Sequence, residues 1–215
     1  MRLPHLLWLL ALALSTALLS CSDDDSGSPA DPPQQGAVDL TGYLPVYDSL
    51  YFKVWSDSSS ERYAGMVEAG GVSYLSIVDD HAGTQVLYAN GKYAGLIGPT
   101  GAPIIFSAPV EPPPSSMLIG QTIVRNTTFE FQSVPVSLQV SYTLLDTGTV
   151  SAPVGTFPGA VQLRASAVAT AVILADTVTT IEWMAKGPGT VRRYIGADTL
   201  GMVYGQVNGR FWRSP

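Results

Sequence analysis

Cysteine and histidine are scarce in this chain, and their scarcity excludes several classes of protein. The 215 residues contain one cysteine, Cys21, and two histidines. A single cysteine forms no disulfide within its own chain, so a small disulfide-stapled domain is excluded. Zinc needs three or four His, Cys or carboxylate ligands. After Cys21 the chain offers only His81 as an imidazole ligand, so we expect no metal site and no cofactor.

Signals for catalysis are equally sparse. A Ser-His-Asp site would have to use His81, which lies in the polar stretch Asp79–Gly83 and suits a turn. No Gly-x-Ser-x-Gly elbow is present. A carboxylate pair of the glycosidase type stays open as an alternative, because it needs only two acids. Glu182, beside Trp183, is the most interesting acid, and we expect it to face solvent on a strand. We therefore predict no catalytic residue and no enzyme.

Basic residues are few. The chain has 11 Lys and Arg against 17 Asp and Glu, a net charge of −6. Beyond residue 36, 10 basic residues stand against 13 acidic ones. Such a body has no basic footprint, and nucleic-acid binding is not expected.

The N-terminus carries an export signal. Arg2 precedes an apolar run from Leu6 to Leu19, which is shorter than the roughly 20 residues of a spanning helix. The tetrapeptide Leu18–Cys21 resembles the lipobox of bacterial lipoproteins. That resemblance implies a signal peptide over residues 1–20 and lipid, such as palmitate, on Cys21. It also implies a protein anchored to the membrane of the bacterial cell envelope, and Ser22 after the cysteine resembles an outer-membrane sorting pattern.

Three regions follow from composition. Residues 21–36 are rich in Ser, Asp, Pro, Gln and Gly, which predicts a disordered tether. Residues 37–215 then form the globular domain. Six prolines fall between Gly98 and Gly120. The segment 99–119 is therefore interpreted as a connection between possible subdomains 37–98 and 120–215, and its length also suits a mobile or functional loop.

Alternation dominates this body. Apolar residues recur at every second position from Val136 to Leu144 and again from Val161 to Ile173. This period predicts antiparallel strands with one wet face. Asn90-Gly91 and Asn208-Gly209 each lie between apolar runs and predict two-residue hairpin turns. A third hairpin is expected to turn near Ala175-Asp176.

The predicted fold class is mainly β with few or no helices. The expected architecture is an antiparallel curved sheet, arranged as a half-barrel or as two packed β-subdomains. Near its end, Gly187-Pro188-Gly189 predicts a tight turn between two strands rather than a phosphate cradle, since no helix pattern follows it.

Two motifs add a family resemblance. Tyr43–Phe52 opens the body, and Val154–Phe157 with Glu182–Arg192 close it. These segments resemble uncharacterised β-rich bacterial envelope lipoproteins of the TapB-like and DUF3108-like groups. Ser49 and Pro188 depart from the usual Gly and Val of those groups. The resemblance implies a β-rich envelope protein and brings no catalytic residue with it.

A row of small side chains supplies the one candidate ligand site. Ala165, Ala167, Ala169 and Ala171 share one face of a predicted strand, and close packing requires something above them. Large residues such as Trp183 would fill the space; alternatively, a groove there would hold an apolar ligand. We predict a non-enzymatic, monomeric binding or interaction protein that acts on an apolar ligand or a partner protein. The alternatives are a purely structural surface lipoprotein and a carboxylate-dependent hydrolase.

Overall fold

The computed structural model describes residues 36–97, 101–171 and 174–213. The predicted signal peptide, Cys21 and all but the last residue of the predicted tether lie outside the described residues. The strands of the described part are β1 (Val38–Asp39), β2 (Phe52–Trp55), β3 (Ser60–Ala69), β4 (Val72–Asp79), β5 (Thr84–Ala89), β6 (Lys92–Ile97), β7 (Pro103–Val110), β8 (Ser116–Met117), β9 (Thr122–Phe131), β10 (Val134–Ala152), β11 (Gly155–Ala171), β12 (Leu174–Ala185), β13 (Gly189–Ile195), β14 (Asp198–Val207) and β15 (Arg210–Arg213).

Thirteen of these strands form one antiparallel sheet made of two meanders. The first meander runs β7-β6-β5-β4-β3-β2, and the second runs β14-β13-β12-β11-β10-β9. Pairing of β2 with β14 joins them, and β15 adds to β14 outside this path. β1 and β8 form a separate two-stranded sheet. Sequential antiparallel pairing needs only short turns, which fits the many Asn-Gly and Gly-rich reversals of the chain.

The sheet curls until its two edge strands, β7 and β9, lie side by side. Among the described residues no backbone ladder joins them, and hydroxyl side chains bridge the gap instead. Thr127 Oγ1 donates to the carbonyl of Ala108 at 2.7 Å, and Ser107 Oγ lies 2.8 Å from Thr128 Oγ1. The result is a nearly closed barrel, which confirms the predicted mainly β, antiparallel curved sheet. We call the junction of β7 and β9 the seam.

One hydrophobic core fills the inner face of both meanders. Trp55, Leu96, Leu144 and Met202 are all buried members of the same cluster. The segment 40–50 crosses one end of the sheet, and Tyr47 packs there with its ring centroid 4.6 Å from that of Tyr51. The two halves on either side of the Pro-rich segment therefore share one sheet and one core.

The joint between the meanders depends on a glycine. A Cβ at Gly205 of β14 would lie 2.5 Å from the carbonyl oxygen of Phe52 on β2. No side chain fits at that distance, so the close approach of β2 requires glycine here. The register shift between Met202 and Tyr204 falls at the same place.

The alternating segments are strands, as predicted. Leu138 of β10 pairs with Ala169 of β11, and Tyr142 pairs with Ala165. All four side chains are buried, whereas the intervening Ser137 and Gln139 are exposed. The period-two pattern therefore predicted correctly which residues of β10 and β11 face the core.

Both Asn-Gly turns are confirmed. Asn90 and Gly91 have φ angles of 50° and 73°, and Asn208 and Gly209 have 52° and 70°. Positive φ at both central residues is the geometry that two-residue hairpins of this kind require. The Gly187-Pro188-Gly189 reversal between β12 and β13 is confirmed as well.

The third expected turn is wrong in position. Ala175 and Asp176 lie inside β12, where they pair with Thr170 and Ala169 of β11. β11 ends at Ala171, which pairs with Leu174 at the start of β12. The sequence pattern predicts a turn at Asp176, but its carboxylate accepts a hydrogen bond from the Thr177 amide within the strand.

The Pro-rich segment contains a strand. Residues Pro103–Val110 form β7, and Ser116–Met117 form β8. Pro103 stands at the first position of β7, where a missing amide is tolerated. Between its pairings with Gly95 and Tyr93 of β6, β7 carries a bulge that includes Phe106 to Pro109. Much of the segment interpreted as a connection is therefore an edge of the sheet.

Helices are absent from the described ranges, as the fold prediction expected. In the part of the chain that the structure describes, no helix is long and apolar enough to cross a membrane.

Candidate functional site

The predicted alanine stripe lies on the inner face of β11. Ala165, Ala167, Ala169 and Ala171 are between 0% and 6% exposed and belong to the main core cluster. Across the ladder, Tyr142, Val140 and Leu138 of β10 lie opposite the first three. The side chains around the stripe are thus packed core residues.

Trp183 is not brought into this row. It pairs with Gln162 of β11, one position out of phase with the buried Leu163. Its ring lies on the other face of the sheet, where Cη2 would be 3.7 Å from a Cβ at Gly148. The structure therefore brings the four alanines together and separates Trp183 from them.

Five charged side chains meet inside the sheet, and sequence reasoning missed them as a group. Lys53, Glu61, Asp79, Glu182 and Arg193 are each 0% exposed. We call them the buried charge cluster. Their burial corrects the expectation that Glu182 faces solvent.

Two cross-strand rows, one from each meander, build this cluster. Lys53, Glu61 and Asp79 pair in register across β2, β3 and β4. Glu182 pairs with Arg193 across β12 and β13. Residues directly opposite in an antiparallel ladder share a face. Pairing of β2 with β14 then brings the two rows to the same region of the interior.

Arg193 is the centre of the cluster. Its Nε lies 2.8 Å from Glu182 Oε1, Nη1 lies 3.2 Å from Asp79 Oδ2, and Nη2 lies 3.1 Å from Glu61 Oε2. The guanidinium carbon stands 4.7 Å from the ring centroid of Trp55. A planar guanidinium with a fixed fork of donors suits three carboxylates at once, which a lysine would not.

The remaining polar atoms of the cluster are also bonded. Lys53 Nζ donates to the carbonyl of Thr190 at 3.0 Å, and the Thr190 hydroxyl donates to Glu182 Oε2 at 2.7 Å. The Tyr51 hydroxyl lies 3.3 Å from Glu61 Oε1. A buried polar network of this kind is stable only when its members are paired.

Burial governs the ionisation of the cluster. Loss of water raises the pKa of Asp79 to about 6 and raises the pKa of Glu182, although Arg193 opposes both shifts. Burial also lowers the pKa of Lys53 to about 8. Desolvation disfavours the charge of Arg193 too, yet the three carboxylates raise its pKa above the usual value. Two cations and three carboxylates make the cluster net negative when all are ionised, and uptake of one proton makes it neutral.

His81 lies outside this cluster. Its Nδ1 is 2.8 Å from Asp57 Oδ2, and Ser59 bonds the same aspartate rather than the histidine. The arrangement ties the turn after β4 to the turn after β2, and His81 lies in a turn as predicted. No group of three or more His, Cys, Asp or Glu residues placed to hold a metal occurs among the described residues.

A surface groove runs along the seam. It has a volume of about 610 Å³ and is lined by Ser107, Ala108, Asn126, Thr127, Thr128, Ser137, Leu138, Gln139, Val168 and Thr170. None of these side chains is charged, and most carry a hydroxyl or an amide. We call this the seam groove.

A second groove of about 460 Å³ continues along the same seam toward Pro103 and Glu130. Ser107 and Thr128 line both grooves. Their hydroxyl contact therefore stands between two openings of one track. The sequence does not predict this track, because its prolines indicate a connection where the structure has β7.

Comparison with known proteins adds little to this geometry. No family model matches the chain, and no curated protein matches it. A solved structure from Bacteroides fragilis, provisionally named an exported protein with a YmcC-like fold, is 13% identical with a TM-score of 0.32; it covers 84% of this chain and 97% of its own. Another, from Parabacteroides distasonis and provisionally named a lipoprotein, is 10% identical with a TM-score of 0.33; it covers 81% and 96%. A likeness this weak carries no argument about the function of this chain.

Proposed function

We propose that this protein is a lipid-anchored protein of the bacterial cell envelope that binds an extended segment of a partner protein along the seam. Cys21 carries the lipid, the outer membrane is the site of anchoring, and the role is non-enzymatic. The seam is the observation that supports the binding role best, because two sheet edges lie there beside an open track.

Unpaired sheet edges favour an extended ligand. A strand edge presents amide and carbonyl groups that pair readily with another chain. At the seam, the Ala108 amide donates to Thr127 Oγ1 at 3.3 Å, and the Thr128 amide donates to Ser107 Oγ at 3.2 Å. A partner backbone offers the same groups a carbonyl acceptor. Exchange of these side-chain bonds for backbone bonds costs little, which supports reversible binding.

The chemistry of the track indicates the kind of segment it takes. Hydroxyl and amide side chains dominate the seam groove, and Glu130 is the one charged residue along the two openings. Neutral polar donors and acceptors recognise a main chain and short polar side chains. The expected segment is therefore extended and uncharged, with small polar residues.

The buried charge cluster supports a non-enzymatic role. A carboxylate-dependent hydrolase needs an acid pair that meets the substrate. Glu61, Asp79 and Glu182 are enclosed and held by Arg193. The cluster is suited to fixing the two meanders together rather than to catalysis.

The predicted apolar ligand remains a second candidate, and one observation favours it. Tyr142 and Thr180 flank Ala165 in one cross-strand row. Their buried hydroxyls have no hydrogen-bond partner among the described residues. A ligand with a polar head and an apolar tail would satisfy them and lie along the alanines. Native mass spectrometry of the membrane-purified protein tests this: a lipid-sized adduct that disappears in Ala167→Leu supports the ligand.

Replacement of the cysteine tests the anchor. Cys21→Ala removes the lipidated thiol, so we expect uncleaved precursor or protein released from the membrane fraction. The measurement is fractionation with a radiolabelled fatty acid, and Cys21→Ser serves as a second thiol-free variant. Processed Cys21→Ala protein that still fractionates with membranes contradicts the anchor.

Site-specific photo-cross-linking tests the seam. A photoreactive amino acid at Asn126, an exposed residue of the seam groove, should trap a partner in cells, whereas the same group at Thr179 on the outer face of β12 should not. Ser107→Arg places a bulky cation between the two openings and should abolish the product at Asn126. Thr179→Arg is the matched control. Equal products at both positions, or a product that survives Ser107→Arg, count against the seam as the binding site.

A further inference from the structure

Three aromatic rings lie together on the outer face where the meanders join. Phe52 of β2 stands 6.0 Å from Tyr204 of β14 and 6.0 Å from Phe211 of β15, measured between ring centroids. Tyr204 is 41% exposed and Phe211 is 59% exposed. Core rings are covered, so an exposed aromatic cluster marks an interaction surface.

Arginines border these rings on the same face. Arg62 of β3 pairs with Phe52, and Arg213 of β15 pairs with Tyr204. Directly opposed residues share a face, so both arginine side chains leave the sheet on the face that carries the rings. Arg62 Nη2 is 3.8 Å from the exposed Asp80, whereas Arg213 is exposed at the outer strand of the sheet. We call Phe52, Tyr204, Phe211, Arg62 and Arg213 the outer aromatic patch.

The patch lies close to the point where the chain enters the domain. The Gly187 amide donates to the carbonyl of Gly42, and Asn208 Nδ2 donates to the carbonyl of Gly187. The Val46 amide donates to Asn208 Oδ1. The entering segment is thereby tied to the β14–β15 turn, three residues before Phe211.

Two more exposed apolar side chains belong to this entering segment. Val46 is 51% exposed and Leu50 is 57% exposed, and Phe52 follows two residues later. Gly36 lies fifteen positions after Cys21 in the sequence. At about 3.3 Å per residue they span at most roughly 50 Å, so the domain stays near whatever holds Cys21.

We propose that the outer aromatic patch, with Val46 and Leu50, rests on the anionic lipid surface to which Cys21 is attached. This inference depends on the proposed lipid anchor. Aromatic side chains favour the headgroup level of a bilayer. Basic residues beside them are drawn to anionic headgroups. The chain as a whole is net negative, so a patch bordered by arginines is complementary to such a surface where the rest of the protein is not. Asp48, which caps the Leu50 amide, and Asp80 are the acids that oppose this attraction.

The patch and the seam lie on opposite sides of the nearly closed barrel. In the strand order, β2 and β14 occupy the middle, and β7 and β9 occupy the two ends that meet at the seam. A protein that rests on its outer aromatic patch therefore turns the seam groove away from the membrane. The proposed partner site stays accessible in that orientation.

Fluorescence quenching in vesicles tests the patch. The full-length protein is reconstituted through its own anchor into vesicles of phosphatidylethanolamine and phosphatidylglycerol that carry brominated acyl chains. Phe211→Trp places a reporter in the patch, and Val124→Trp places one at an exposed apolar position of β9. We expect the tryptophan added at position 211 to be quenched at least about twofold more than that at position 124, because only the former reaches the interface.

Charge variants test the role of the anionic lipid. Arg213→Glu in the Phe211→Trp protein should reduce quenching, as should phosphatidylcholine in place of phosphatidylglycerol. Arg164→Glu, an exposed change of the same charge on β11, is the control and should leave quenching unchanged. Equal quenching at positions 211 and 124, or none at position 211, overturns the proposal. If the fluorescence of the tryptophan at position 211 shifts with protein concentration in the absence of lipid, a second copy of the protein covers the patch, and the proposal is again overturned.

Flotation of the same samples separates failure of the anchor from failure of the patch. If Cys21→Ala floats like the parent protein on vesicles in which phosphatidylcholine replaces phosphatidylglycerol, where the patch has no anionic partner, the lipid anchor is wrong. The unanchored protein is then mixed with the vesicles that contain phosphatidylglycerol and the two tryptophans are compared again. Quenching confined to position 211 supports the patch without the anchor, and its absence overturns the patch.

Discussion

At the scale of single residues, Arg193 forms ion pairs with all three buried carboxylates of the interior. Its three carboxylate partners come from β3, β4 and β12, so one guanidinium connects both meanders. Desolvation of such a group is expensive, and the arrangement persists because each partner is itself charged and bonded. The value of the cluster lies in fixing one relative position of the two meanders.

Truncation of the Arg193 side chain should therefore strongly lower the stability of the protein. Arg193→Ala leaves three buried carboxylates without their cation, and breaking a buried pair in this way costs about 3–5 kcal/mol. Urea unfolding followed by far-ultraviolet circular dichroism measures the loss. Arg210→Ala, at an exposed position of β15, is the matched control and should change stability by less than about 0.5 kcal/mol. Similar losses in both variants would contradict the role given to Arg193.

Ionisation of Asp79 and Lys53 sets a pH dependence of stability. The folded-state pKa of Asp79 is raised to about 6. The contribution of Asp79 to the free energy of unfolding is therefore complete at a pH below its pKa in the unfolded chain, and it is lost as the pH rises through about 6. The pKa of Lys53 is lowered to about 8, so its contribution is complete above the unfolded value and is lost as the pH falls through 8. Both contributions are smallest between about pH 6 and 8.

Asp79→Asn isolates the acidic half of this dependence. We expect the melting temperature of the parent protein to rise relative to that of the variant as the pH falls from about 7.5 to about 5, because only the parent takes up the proton. Calorimetry across this interval is the measurement. Melting temperatures that run parallel in the two proteins would show that Asp79 does not titrate there.

At the scale of elements, the β14–β15 hairpin shows what local sequence determines. Gly209 has a φ angle of 70°, and a Cβ added there meets nothing within 4 Å. Any cost of a side chain is thus a cost of backbone conformation alone.

Gly209→Val should destabilise the protein by about 1 kcal/mol or more, since a β-branched residue resists positive φ. Thermal unfolding measures the change. Gly148→Ala is a suitable control, because Gly148 has no positive φ and its added Cβ would only touch Trp183 at 3.7 Å. An unchanged melting temperature for Gly209→Val would count against the turn geometry.

Strands and turns were predictable here where local rules apply without interference. Period-two alternation identified β10 and β11, and Asn-Gly located two hairpins. The Asp176 turn failed because a strand long enough to continue its ladder overrides a weak turn residue. The strand β7 was not predicted, because the six prolines of this segment indicate a connection. An edge strand nevertheless accommodates proline at its start and in its bulge.

The candidate sites were harder to predict than the strands. A register shift between β12 and β13 follows Trp183, and it changes which residues of β13 face the interior. Thr190 and Arg193 are therefore both buried although they are three residues apart. Simple alternation assigns them to opposite faces. The pairing of Lys53, Glu61 and Asp79 depends on register between strands, and the contact of β7 with β9 depends on how far the whole sheet curls. None of these is encoded in a single segment.

At the scale of the whole molecule, closure rests on two different kinds of contact. The joint of β2 with β14 has a backbone ladder and the buried charge cluster behind it, whereas the seam has hydroxyl side chains. A single hydrogen bond of this kind contributes about 1 kcal/mol. The sheet should therefore open first at the seam, which is what binding of an extended segment there requires.

Removal of one hydroxyl tests this difference. Thr127 Oγ1 both accepts from the Ala108 amide and donates to the Ala108 carbonyl, so Thr127→Val keeps the side-chain shape and removes both bonds. At about 1 kcal/mol for each bond the loss is about 2 kcal/mol, which corresponds to roughly thirtyfold faster amide exchange at the seam. Hydrogen exchange read by mass spectrometry should show this increase in β7 and β9 and no change across β2 and β14. Thr179→Val, on the outer face of β12, should leave the exchange of β7 and β9 unchanged. An increase spread evenly over all strands would mean that the sheet opens as one unit, and the seam would then have no special readiness to receive a partner.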